Sequence, residues 1–594
     1  MLLLVVLGAN PKLAHSFSFD TKDTITNLTK LDPDSILTKA LFFDPSRWNA
    51  PFWVGTGGYG TARLDLFSMN IKKSTSTLGI DPFNYYGYEL PFNSSPDSLG
   101  TRKTLITYHL GRKKEQHIDI DHRQHFRKGL SFGLMVGGNS TPGEFSRQLS
   151  AGRRFSLYAD FKDSSSRYEL KASYRFFRLF NQENGGISSD SVFENASSLD
   201  TKTLPVFLDN SSIKFRQNQY DLEHAIYLIK PLTRKFDLSV YHHLEHIRTS
   251  FLFESRSPDE GYFSNFWVDS TTTYDSTYFS TMANQLGVRM GSTLHVTRII
   301  FQLGVLGEEV KYSTGSINLD TEKKNSLVIG AQLKNNKWIV SSSLIKSISG
   351  ANNLWSSGLS VIYNGSKIGS FLLDASSGTY EPSYFSRFYF SNHFKWNNDF
   401  NNEKRARLRF VHQIPKFALD YGFDFSTIDG FVFHKEDALP QQFGKQLAIG
   451  KIHVKKVFLY RKIGSELVLN YNLSGNPNVV DLPQLGGYAS IFYKNLLFKK
   501  ALDLRAGADL AYWSEFYSQG YMPATGVFFQ QSIDKTGGFP VVGLFADLTI
   551  KSATITFRLD HLNAGMGDRN YYGAWRYPIQ GRSLKIGIRW MLKD

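Results

Sequence analysis

The sequence predicts an all-β fold: a single-chain transmembrane antiparallel β-barrel of roughly 18–24 strands, with short periplasmic turns and long extracellular loops. Three observations carry this expectation. At the C-terminus Leu584, Ile586, Ile588, Trp590 and Leu592 share one face of an extended chain, while Lys585, Gly587 and Arg589 share the other. The same two-residue rhythm returns along most of the chain with no long helical pattern between repeats. Finally, 41% of residues are hydrophobic and 15% aromatic, yet no run approaches the ~18–20 apolar residues of a spanning helix. A wall with lipid on one side and water on the other produces all three.

Residues 1–16 read as an export signal: Met1 to Ala9 is apolar, and Ala14-His15-Ser16 offers small residues before Phe17. Residues 17–100 are irregular, punctuated between Pro45 and Pro51 and by the glycine cluster Gly55 to Gly60. They read as a periplasmic lead-in or a small plug. Residues 101–594 read as the barrel.

Within it, His117-Ile118-Asp119-Ile120-Asp121 alternates, and Leu130, Phe132, Leu134 and Val136 form the next apolar row. Tyr168, Leu170, Ala172, Tyr174 and Phe176 oppose Glu169, Lys171, Ser173 and Arg175. Later, Phe388, Phe390, Phe394 and Trp396 share a face, and Ala406, Leu408 and Phe410 oppose Arg405, Arg407 and Arg409. Phe423 and Phe425 oppose Asp420 and Asp424, and Leu467 to Leu473 alternates with Glu466, Val468, Asn470 and Asn472. Each segment is expected to run about 9–11 residues, the length of a tilted crossing. Short turns fall near Asn335-Asn336, Asn364-Gly365 and Ile550-Lys551. Long loops fall at Asn181–Asn210, Glu254–Ala283 and Trp513–Gly538. Repetition carries the weight, because a single alternating stretch fits a soluble sheet equally well. An open sheet of this size would have to curl or split.

The inward rows supply the candidate pore-lining residues: Asp119 and Asp121, Lys171 and Arg175, Arg405, Arg407 and Arg409, Asp420 and Asp424. Three arginines along one face repel unless partnered, and Asp420 and Asp424 on the following strand are the expected partners in a cross-strand ladder. Such a ladder either stiffens the wall or forms an ion-selective constriction. The net charge of +15 (68 basic, 53 acidic) admits two readings: attraction to anionic lipid head groups or an anion-favouring lumen.

Chemical motifs are weak. His242-His243-Leu244-Glu245-His246 fits an inverted zinc-protease pattern. Its flanks have period two, however, and on a strand His242 and His246 stand about 13 Å apart at ~3.3 Å per residue. Gly55-Thr56-Gly57-Gly58-Tyr59-Gly60 fits a nucleotide fingerprint, but the adjoining Ala62-Arg63-Leu64-Asp65-Leu66 alternates like a strand, where that fingerprint needs a helix. With no cysteine, disulfides and thiolate chemistry are excluded. No catalytic residue, metal site or cofactor is expected.

Asn184-Gly185-Gly186-Ile187-Ser188-Ser189-Asp190-Ser191-Val192-Phe193-Glu194 resembles a segment of the porins of Bacteroidetes-type bacteria. Leu204 to Leu208, Tyr220 to His224, and the ending Tyr577 to Arg582 with Gly587-Ile588-Arg589-Trp590 are similar to theirs too. The resemblance is clearest in 100–230 and 560–594, and the ending also resembles outer-membrane receptors of that phylum. It implies a porin-like barrel in the outer membrane of a Gram-negative cell.

The functional expectation is a non-enzymatic porin passing small hydrophilic solutes or ions by diffusion. The alternative is a non-conducting or gated barrel serving as receptor, transporter or surface or secretion scaffold. An energised receptor carries a large folded plug, and alternation here begins by about residue 103. Expected partners are outer-membrane lipid and lipopolysaccharide, the solutes, the barrel-assembly machinery at the C-terminal strand, and further copies of the chain. Nucleic acid is not expected, because basic residues are interleaved with apolar ones.

Overall fold

The computed structural model describes residues 52–67, 102–126, 129–195, 200–230, 236–257, 261–315, 317–319, 321–350, 353–366, 368–567 and 569–593. The proposed export signal and most of the segment 17–100 lie outside the described residues.

Twenty-two antiparallel strands close into one barrel, within the range the alternation implies. Each pairs with its sequence neighbours, and the first, Lys103–Leu110, closes on the last, Ser583–Lys593, in register from Lys103 against Lys593 to Leu110 against Ile586. Both ends of the strand series therefore lie at one rim, as an even number of up-and-down strands requires. At that rim the connections are short: His295-Val296, Asn335 to Lys337, Arg461-Lys462 and Lys551-Ser552. The Asn335 carboxamide accepts from the backbone N–H groups of Lys337 and Trp338, closing its turn locally.

The molecule is inside-out relative to a water-soluble protein. Ile118, Val136, Phe301, Leu467 and Ile491 are exposed on the outer face, while Ser156, Thr249, Gln285, Glu466 and Arg558 are buried within. Alternation along each strand creates this division, because consecutive side chains leave opposite faces. Closure leaves no unpaired edge facing lipid.

The wall is uneven. Ser211–Ile229, Phe236–Ser255, Thr273–Leu294 and Thr297–Thr314 are 19, 20, 22 and 18 residues long. That is up to twice the expected span of about 9–11 residues. These strands outrun the apolar belt towards the long-loop side, where the outer row turns polar through Arg216, Asn218, Arg248 and Ser250. Lys214 there pairs with Glu254. This corrects two expectations. The loop expected over Glu254–Ala283 is strand from Thr273 onward, because polar strand above the membrane lacks the apolar alternation that marks its lower half.

The second correction concerns Phe388 to Trp396, which is not a stave. Phe388–Phe390 and Lys395–Asn397 form a small separate hairpin in which Tyr389 stacks on Trp396 with ring centroids 4.7 Å apart. Aromatic density marks burial against protein as well as against lipid.

Candidate functional site

The long-loop rim carries a packed aromatic layer. Loop residues Phe263, Tyr384, Phe385, Tyr389, Phe394 and Trp396 join Tyr521, Phe528 and Phe529 in one buried cluster. They pack against Phe251, Phe253, Phe279 and Tyr312 from the upper ends of the tall strands. Phe263 lies flat on His393 at 3.7 Å, so the segment around Phe263 is folded over the mouth.

Beneath this layer lies the short hairpin Trp53–Gly55 with Arg63–Asp65. It reaches the wall at two well-separated places. On one side Asn139 and Asn181 donate to the carbonyls of Tyr59 and Gly60 at 3.3 and 3.1 Å. Gln148 donates to the Thr56 carbonyl at 2.8 Å. On the other, Asn472 donates to the Leu66 carbonyl at 3.0 Å, and Phe52, Val54, Leu66 and Phe67 pack on Tyr488, Ala511 and Trp513. Asn181 and Asn472 belong to the fifth and seventeenth strands, ten steps apart round a ring of 22. The hairpin thus joins nearly opposite walls. It sits near the loop end of the lumen, since His117 begins a strand there and Asn472 closes one. Gly573 of the last long loop rests directly on it: a Cβ there would meet the Gly55 carbonyl oxygen at 2.7 Å.

Tyr59 is the most anchored hairpin residue. Its ring meets His117 edge-on at 4.5 Å, and Arg154 donates to its phenol at 2.9 Å. Arg154 also donates to Asp119 at 2.8 Å, and His117 lies 2.6 Å from the same carboxylate. Burial pushes the Tyr59 phenol up to about 12, against the opposing pull of Arg154. Burial likewise raises the Asp65 carboxyl, opposed by Lys451, by the Phe67 N–H and by Arg63. Both hairpin groups therefore sit where water is scarce.

The nine residues singled out from sequence all occupy the inward face of their strands. Asp119 joins the Tyr59 cluster, and Asp121 pairs with Arg123 at 2.8 Å. Lys171 stands opposite Asp160 and Glu223 in register, and Arg175 opposite Ser156 and Gln219. Arg407 donates to Asp424 at 2.7 Å, the expected cross-strand pair. Arg405 instead takes Glu403 on its own strand at 2.8 Å. Asp420 takes Gln413 at 2.8 Å and His453 at 3.1 Å and makes no hydrogen bond or ion pair with the arginine row among the described residues. Arg409 makes no hydrogen bond or ion pair among the described residues, although Asp374 and Asp424 face it in register from the two neighbouring strands.

Sequence reasoning missed Tyr59, Arg154 and Glu403. Glu403 was findable, being two residues before Arg405 on the same strand face. His242 and His246 lie on the outer face of Phe236–Ser255 and Glu245 on the inner one, so the three cannot converge on one ion. His242 instead lies 3.1 Å from His224.

A closed wall of 22 strands, apolar outside and charged within, defines a large outer-membrane-type β-barrel. Residues 16–594 match the family described as "Putative porin", and the chain belongs to that family. No curated protein sequence matches it. Among solved structures, the FrpB iron transporter of Neisseria meningitidis superposes with a TM-score of 0.53 at 10% identity, over 83% of this chain and 81% of that one. The siderophore receptor PiuA of Acinetobacter baumannii gives 0.53 at 11% identity, over 83% and 82%. A mutant of the ferric enterobactin receptor PfeA of Pseudomonas aeruginosa gives 0.55 at 13% identity, over 83% and 80%. At such identities the likeness is one of fold.

Proposed function

We propose that this protein is a gated transport barrel of the outer membrane, in which the hairpin 52–67 acts as a compact plug and small hydrophilic solutes cross when it leaves. One observation carries the reading: the hairpin is hydrogen-bonded to nearly opposite walls at once, through Asn181 and Asn472. A wall built only for free diffusion has no use for buried carboxamides aimed at hairpin carbonyls. The aromatic layer above adds a second closure on the external side. Below the hairpin the lumen carries paired charges of both signs, such as Arg289 with Glu223 and Arg298 with Asp237, a surface suited to hydrated polar solutes. Likeness to iron and siderophore transport barrels favours a gated wall over an open one, and the family description favours solute passage.

Planar-bilayer conductance tests this. The full chain is expected to be mostly silent with brief openings, and a chain lacking residues 52–67 to conduct steadily. A full chain that conducts steadily, unchanged by the deletion, would restore the open-porin reading. Silence in both would favour a receptor or scaffold.

A further inference from the structure

The short-turn rim carries an unbalanced charge. Arg461-Lys462, Lys499-Lys500 and Lys551 occupy three neighbouring turns, all exposed. Lys416, Lys337 and Arg167 occupy three more. None of these eight cations has an ion-pair partner among the described residues. In the same turns the acid is Asp163, and its carboxylate is already engaged by the hydroxyl and N–H of Ser165. At the opposite rim the two signs are mixed, with Asp190, Glu194 and Asp534 beside Lys535, Arg569 and Arg576.

Aromatic side chains accompany the cations. Arg461 lies over Tyr460 at 5.4 Å, and Lys416 lies 5.7 Å from the Phe417 ring. Tyr460 is 71% exposed and Phe498 77%, which in water alone would waste their apolar area. An aromatic ring beside a cation at the end of a lipid-facing strand suits the head-group layer, where the ring meets acyl chain and the charge meets phosphate.

We infer that this rim is a basic collar that binds anionic phospholipid in the periplasmic leaflet. Short turns face that side in barrels of this kind. Paired cations on adjacent turns match a phosphodiester flanked by a neutral or anionic head group, and a zwitterionic lipid offers them less net charge. Much of the +15 is thereby placed on one face and not along the lumen. The inference goes beyond transport and requires only that the wall span a bilayer.

Native mass spectrometry of the full chain, mixed with phosphatidylglycerol or phosphatidylcholine, reads it directly. Preference for phosphatidylglycerol by about tenfold is expected, falling towards parity in about 0.5 M salt. The combined variant Arg461→Gln, Lys462→Gln, Lys499→Gln, Lys500→Gln and Lys551→Gln should lose that preference and leave lipopolysaccharide binding unchanged. Equal binding of both phospholipids by the full chain, or preference intact in the variant, would overturn the collar. So would a loss confined to lipopolysaccharide. If the variant does not fold, the salt series on the full chain decides. Failure to enter vesicles of any composition would instead count against the membrane-spanning wall.

Discussion

The guanidinium of Arg154 donates to the phenolic oxygen of Tyr59 at 2.9 Å across 95 positions of sequence, and another of its nitrogens holds Asp119 at 2.8 Å. One wall residue thus serves both the wall and the hairpin. Tyr59→Phe removes the second tie and spares the first. A hydrogen bond to a charged group contributes about 1.5–3 kcal/mol, so the docked-to-free ratio of the hairpin should fall about 10- to 100-fold. Open probability in bilayers, or protease access to residues 52–67, measures it.

Asp65 gives the docking a pH dependence. Burial raises its pKa in the docked hairpin above the usual 3.8. The docked state then binds a proton more tightly than the free one. Docking is strongest below 3.8 and weakens as pH climbs from 3.8 through the raised value. Openings should therefore increase with pH across that window. Asp65→Asn keeps an acceptor for the Phe67 N–H, at 2.9 Å in the present structure, while removing the buried charge. It should stay closed, with no pH response in that range. A pH series of single-channel recordings on both proteins separates the outcomes.

Sidedness was legible in the sequence, and partnership was not. Ile118 and Ile120 face out while Asp119 and Asp121 face in because period two leaves no freedom once one residue is placed. The same rule places Glu466, Asn470 and Asn472 inside. Who meets whom depends on register and on non-local folding. Register sets Asp424 level with Arg409, yet Asp424 bonds diagonally to Arg407, and it leaves Asp420 level with Gln413. Tyr59 lies outside the barrel repeat, and only its place among glycines marked it. Phe388, Phe394 and Trp396 misled because a loop folded into the mouth buries aromatics as a lipid-facing strand does.

The arginine row should divide by partner. Arg405 with Glu403 and Arg407 with Asp424 are close ion pairs, whereas Arg409 makes no such pair among the described residues and stands between Asp374 and Asp424 in register. In the hairpin-deleted chain, Arg409→Gln should lower the anion-to-cation permeability ratio on the order of threefold, the effect of about one kT of local potential. The double variant Glu403→Gln with Arg405→Gln removes a neutral pair and should leave the ratio unchanged. Reversal potentials under a salt gradient report both.

The wall itself offers a cross-strand test. Gly133 and Tyr158 are register partners, and Tyr158 is buried with its ring laid over the glycine. A Cβ at 133 would stand 1.8 Å from the ring edge, with the next two nearest atoms also in that ring. Gly133→Ala therefore forces Tyr158 from its place and should cost about 1–3 kcal/mol. Because the three nearest atoms all belong to one ring, removing the ring should relieve the clash. In Tyr158→Ala the second change, Gly133→Ala, should then cost less than it does alone. A double-mutant cycle on the temperature of heat-modifiable gel migration would show that coupling. Additive losses would mean that the two residues do not act as a pair.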